Sequence, residues 1–121
     1  MEKKLHMKFK ITVPAGYQVK NYENDNLDIN VVLENKEIFF ATLFTTNNIK
    51  MLLERDESTF FWAHTMVILK DLKKETIKKF VQEAIDSESL EAIFYKIGNL
   101  GQTKGYPSKF EKITDFSNEP K

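Results

Sequence analysis

Between Leu5 and Val13 every second residue is apolar (Leu5, Met7, Phe9, Ile11, Val13), and every residue between them is polar (His6, Lys8, Lys10, Thr12). A helix cannot segregate such a pattern, because its faces repeat every 3.6 residues. A β-strand does so at once, giving a half-buried strand with a wet, basic face. A second alternation sets Leu27, Ile29, Val31 and Leu33 against Asp28, Asn30, Val32 and Glu34. After Asn35-Lys36 comes the run Ile38 to Phe44. Asn35 tolerates a left-handed backbone, so the spacing predicts a two-residue turn joining 27–34 and 37–45 as an antiparallel hairpin. In the second arm Phe40, Thr42 and Phe44 share one face, and Phe39, Ala41 and Leu43 the other. Neither face is polar, which places that strand inside a sheet.

The rest of the chain supplies the layer that covers the sheet. Pro14-Ala15-Gly16 stops the first strand, and the polar stretch 17–26 reads as a loop. Thr45 to Asn48 offers several N-caps, and Ile49, Leu52 and Leu53 follow at helical spacing, which predicts a short helix over 47–56. Phe60 to Leu69 is apolar on both faces and rich in aromatic and β-branched residues, the pattern of a central strand over 60–70. Asp71 can cap a helix over 72–87, with Ile77, Phe80, Val81, Ala84 and Ile85 on its apolar stripe. Leu90, Ile93, Phe94 and Ile97 repeat that spacing, with Gly98 at the C′ position of a second helix. With 121 residues, 41% of them hydrophobic, the chain is expected to form a single domain, 1–121, whose residues 99–121 make a loop-rich C-terminal tail. The predicted class is α+β: a mostly antiparallel sheet of about four strands with two to three helices packed on one face.

Several chemistries are excluded or unsupported. The absence of cysteine rules out disulfides, thiolate metal sites and a cysteine nucleophile. The 18 basic residues balance the 18 acidic ones, whereas a direct nucleic-acid binder usually carries a basic excess. No apolar run approaches the roughly 18 residues of a membrane span, and the N-terminus lacks a signal-type apolar core. These features predict a cytoplasmic protein. His6 and His64 are the only histidines, with no spacing that holds zinc, so no metal or cofactor is expected. His64 reads first as a core histidine, with a place on a partner surface as the alternative. No GxSxG, GxGxxG or P-loop occurs. Gly98 to Gly105 follows a predicted helix without Walker spacing and reads as a flexible connector. Asp25-Asn26-Leu27-Asp28 breaks the EF-hand pattern. No catalytic set emerges.

Charge and aromatic content point instead to surfaces. Residues 21–37 hold Glu23, Asp25, Asp28, Glu34 and Glu37 against Lys36 alone. They form either part of a mixed solvated surface or an acidic patch for a basic partner such as a nuclease domain. Phe39, Phe40, Phe44, Phe60, Phe61, Trp62 and Phe80 are core candidates by default. Helices on only one side of the sheet would leave some of them bare, as a partner or self-association surface.

The segment Asn30 to Thr45, together with Asn48-Ile49, Phe61-Trp62, Asp71-Leu72 and Glu75-Thr76-Ile77, resembles small bacterial proteins of the immunity type. These are antidotes encoded beside polymorphic or contact-dependent toxins. The resemblance spans about residues 27–85 and contains no catalytic motif. It implies a non-enzymatic cytoplasmic protein that neutralises a cognate bacterial toxin domain by binding and occluding it. Candidate partner-binding residues are Asp25, Asp28, Glu34, Glu37, Trp62 and His64. Two alternatives stand beside it: a small cytoplasmic enzyme or ligand-binding subunit with a pocket between sheet and helices, and a structural homo-oligomer subunit. A homodimer is compatible with either binding role.

Overall fold

The computed structural model describes residues 7–118; the expected strand residues Leu5 and His6 lie outside that range. The fold is α+β. Strands β1 (Phe9–Thr12), β2 (Asn26–Leu33) and β3 (Glu37–Thr45) form an antiparallel meander. The free side of β3 is shared by two short strands. β4 (Met66–Leu69) runs parallel beside residues 42–45, and β5 (Tyr95–Asn99) runs antiparallel beside residues 37–40. The sheet thus has five strands, with a single parallel pair.

The alternating residues do what their period demands. Ile11, Leu27, Ile29, Val31, Leu33, Phe39, Ala41 and Leu43 all point to one face. Helix α2 (Lys74–Asp86) closes that face with Ile77, Val81, Ala84 and Ile85, and the single turn α3 (Leu90–Ile93) adds Leu90. Full burial of each large aliphatic chain is worth about 1.5–3 kcal/mol. Phe80 is only half-buried at the margin, stacked on Phe94 with ring centroids 5.7 Å apart.

Polar contacts fix the element ends. Thr45 caps α1 (Thr46–Arg55) by accepting the Asn48 N–H at 3.2 Å. Buried Asn48 then receives the Asn26 side-chain amide and donates to Asn24 Oδ1. Lys73, not the expected Asp71, stands at the N-cap of α2 (Lys74–Asp86), without a side-chain cap bond. Asp71, two residues earlier, accepts the Lys73 N–H at 3.0 Å and bonds the Thr76 side chain, tying down the start of the helix. Helices α1 and α2 end alike. The residue after the C-cap, Glu57 or Glu88, is left-handed (φ 51° and 57°). The next N–H reaches back to a carbonyl five residues earlier, Ser58 to Leu53 and Ser89 to Ala84.

Four further expectations are corrected. The hairpin loop has three residues, Glu34-Asn35-Lys36, and its left-handed residue is Lys36 (φ 79°), not Asn35. The 60–70 segment is no central strand. Only Met66–Leu69 pairs, at the sheet edge, because Thr65 is left-handed (φ 49°) and breaks the extended chain before it. The predicted helix through Ile97 stops at Ile93, since the half of β3 left bare by β4 recruits Tyr95–Asn99 as its partner. Gly98 is therefore a strand residue, and a Cβ there would run into the Thr103 side chain. Finally, the glycine-rich stretch is not a loose connector. It carries buried Leu100 onto the second face of the sheet, where Val32, Ile38 and Ile113 form a small second core flanked by Tyr106 and Phe110.

Candidate functional site

The second sheet face is covered over only half its width. On the β1–β2 side, the Tyr106 hydroxyl meets the Asn30 amide and lies 3.2 Å from Thr12 Oγ1, while Lys10 Nζ donates to the Phe110 carbonyl at 2.9 Å. The cover extends onto β3, where Ile38 is buried in the same small core and Phe44 lies under Phe61. Asp28, Ile68 and Tyr95 stay exposed and Phe40, Thr42 and Met66 half-buried. Register fixes what points outward there. Asp28, Thr42 and Met66 stand in one row, and Phe44 and Ile68 in the next. Phe40 and Tyr95 stand in a third.

The segment between α1 and β4 frames this open half. Phe61 tucks edge-on against Phe44, with centroids 5.0 Å apart. Its neighbours Phe60 and Trp62 are left 69% and 72% exposed, and Ile68 and Tyr95 are 54% and 53% exposed. His64 meets the Tyr95 ring edge-to-face at 5.6 Å. These residues lie on loop 60–64, β4 and the start of β5, and the His64–Tyr95 contact links the first segment to the last. Isolated exposed apolar residues are ordinary, but four large ones on segments flanking β3 make this region the candidate interaction surface. Thr65 sits at its hinge. A β-branched residue at positive φ costs about 1–3 kcal/mol, and its hydroxyl is buried without a hydrogen-bond partner.

The sequence-predicted site residues divide. Trp62, His64 and Asp28 belong to the open half, and the Asp28 carboxylate accepts from the Thr42 hydroxyl at 2.8 Å. His64 is exposed, not a core histidine, and Phe60 and Trp62 leave the predicted core for the surface, since the inner face is already filled. Asp25 is committed to its own loop, accepting the N–H groups of Lys20 and Asn26. Glu34 and Glu37 lie at the hairpin tip, six and nine residues beyond Asp28 in sequence and about 20 Å from it along the strand. There Glu34 takes the Lys8 N–H, and Glu37 pairs with Lys96 at 3.0 Å. The acidic run is therefore no single patch. A nearer acidic flank was missed: exposed Glu54 and Glu57 at the entrance to the aromatic segment, where Arg55 is matched by Asp56 at 2.8 Å.

A cleft of about 630 Å³ lies elsewhere, between loop 13–19, Tyr22, Leu72, Lys74 and Phe116. The space between sheet and α2, where a ligand pocket was an alternative, is filled by core side chains. Within the cleft the Lys74 ammonium sits over the Phe116 ring at 4.9 Å. Among the described residues no three His, Asp or Glu side chains converge as metal ligands, and no helix is long and apolar enough to cross a membrane. No family model matches the chain, and searches of curated proteins and of solved structures find no match either.

Proposed function

We propose that this chain is a toxin-neutralising immunity protein, acting in the bacterial cytoplasm by direct binding and occlusion of a cognate toxin domain. The observation that supports this reading is the open aromatic half of the sheet. Phe60 and Trp62 are held outward by a segment anchored through Phe61 and contribute nothing to the core. Rigidly presented Trp and Tyr side chains are the commonest energetic anchors of protein interfaces. Asp28 on the same face, and Glu54 and Glu57 at its flank, match a basic partner such as a nuclease domain, whose approach they would accelerate.

The test is co-expression with the toxin domain encoded by the neighbouring gene, scored as cell survival at equal immunity-protein abundance. Phe60→Ala with Trp62→Ala is expected to abolish protection and to weaken the purified complex by at least 30-fold, about 2 kcal/mol. His64→Gln is expected to retain it, because occlusion needs no acid or base. Full protection by the folded double variant would overturn the reading.

A further inference from the structure

The β4 edge is open in a way that sheet proteins usually avoid. Thr42 N–H bonds the Thr65 carbonyl at 3.1 Å, which fixes the phase of the parallel ladder. Thr65, Val67 and Leu69 therefore direct their backbone groups toward β3, and Met66 and Ile68 direct theirs away from the sheet. No described residue takes up those outward groups. The opposite edge is guarded: the Asp115 carboxylate accepts the Ile11 N–H at 3.1 Å and binds Ser117 with its other contacts. Edges left unpaired usually carry charge, proline or a bulge, yet Met66-Val67-Ile68-Leu69 carries none of these.

We infer that β4 pairs antiparallel with β4 of a second copy of this chain, about a two-fold axis through Val67. The edge is complementary to itself. Placing the axis at Val67 sets Met66 opposite Ile68 of the other copy, so the outward N–H and C=O groups of both residues exchange four hydrogen bonds. On the open face apolar Met66 then meets apolar Ile68, with no like charges opposed. On the inner face the two Val67 side chains meet beside the core. A two-fold axis normal to the sheet joins the two sheets and keeps both open faces on one side. The dimer thus presents two copies of the 60–64 aromatic segment as one broad surface. Pairing at the edge does not depend on what that surface binds.

The chain has no cysteine, so Val67→Cys reads the axis directly. Residues on the axis form a non-hydrogen-bonded pair with Cα atoms about 4.5 Å apart, within disulfide reach. Two copies of residue 68 are diagonal neighbours at about 7–8 Å. Under mild oxidation Val67→Cys is expected to give a covalent dimer and Ile68→Cys to stay monomeric. Sedimentation of the unmodified protein should report a dimer. The register is checked without thiols: Met66→Lys with Ile68→Lys should dissociate it, and Met66→Lys with Ile68→Glu should restore it, since 66 faces 68. A monomer at all attainable concentrations, or a dimer indifferent to these charges, overturns the inference. Toxin protection is scored separately with Phe60 and Trp62, so failure of either proposal leaves the other standing.

Discussion

The Tyr17 hydroxyl donates to the Asn26 carbonyl at 2.5 Å, clamping loop 13–25 to the start of β2. Burial, and then the negative charge of Asp25 with a further contribution from Asp28, push its pKa up from 10.0 to about 12. A raised acid pKa means that the fold favours the neutral form. Below about pH 10 both folded and unfolded chains hold the proton, and the contribution is complete. Between about pH 10 and 12 the unfolded chain releases it while the fold retains it, so stability falls as pH rises. Two units correspond to at most roughly 2–3 kcal/mol, reduced by solvent screening at a part-exposed hydroxyl. Tyr17→Phe loses the hydrogen bond, about 1 kcal/mol at neutral pH, but also loses the titration. The two urea midpoints should therefore converge above about pH 10, and the variant should become the more stable protein near pH 12. A gap between midpoints that stays constant with pH would refute the clamp.

The helix ends offer a gain. Glu88→Gly places at the left-handed position (φ 57°) the residue that adopts it without strain, and should raise stability by about 0.5–1 kcal/mol in urea denaturation. In the aromatic segment, Phe61→Ala should cost about 2–3 kcal/mol through lost packing on Phe44, while Trp62→Ala should stay within about 0.5 kcal/mol of the parent. A large loss for Trp62→Ala would place that ring in the core. The Asp71 carboxyl is held below its ordinary pKa by the Thr76 bond first, aided by the Lys73 amide. Its contribution is thus present above the unfolded carboxylate pKa and lost as pH falls through the folded one. Asp71→Asn should flatten the acid limb and cost about 1 kcal/mol at neutral pH, read from thermal midpoints across the acid range.

The readable parts of the sequence were those where one face of an element meets the core. Leu27, Ile29, Val31 and Leu33 alternate because α2 covers a single side of β2, and Ile77, Val81, Ala84 and Ile85 keep helical spacing for the same reason. Residues 60–69 were misread because bulky β-formers look alike in a core strand and on a bare surface; the left-handed backbone of Thr65 that separates them has no signature in a threonine. Ile97 fitted the helical spacing from Leu90 and also the alternation with Tyr95, and a vacant stretch of β3 decided between them. The C-terminal ends of α1 and α2 were legible to within one residue, 56 against Arg55 and 87 against Asp86, although glutamate rather than glycine stands at both C′ positions. The candidate site was legible only in part. Alternation sets Trp62, His64 and Ile68 on one face of the predicted strand, but nothing in the sequence ties them to Asp28 or Tyr95.

The two halves of the second face differ in what they have to hide. On the β1–β2 side the outward residues are Lys10, Thr12, Asn30 and Val32, and the C-terminal segment answers each with a hydroxyl, a carbonyl or an apolar ring. It then seals the β1 edge through Asp115. On β3 the division falls along the strand: Ile38 is buried beneath the C-terminal segment and Phe44 beneath Phe61, Phe40 and Thr42 between them are half-buried, and Ile68 and Tyr95 on the flanking strands are exposed. If burial within the chain were the only requirement, the layer would sit where it removes the most apolar area from water. Yet Phe60, Trp62, Ile68 and Tyr95 stay exposed while the C-terminal segment closes over Val32 and Ile38. That exposure makes sense if these residues are covered from outside the chain: Phe60 and Trp62 by a basic partner, and the Met66–Leu69 edge by a second copy.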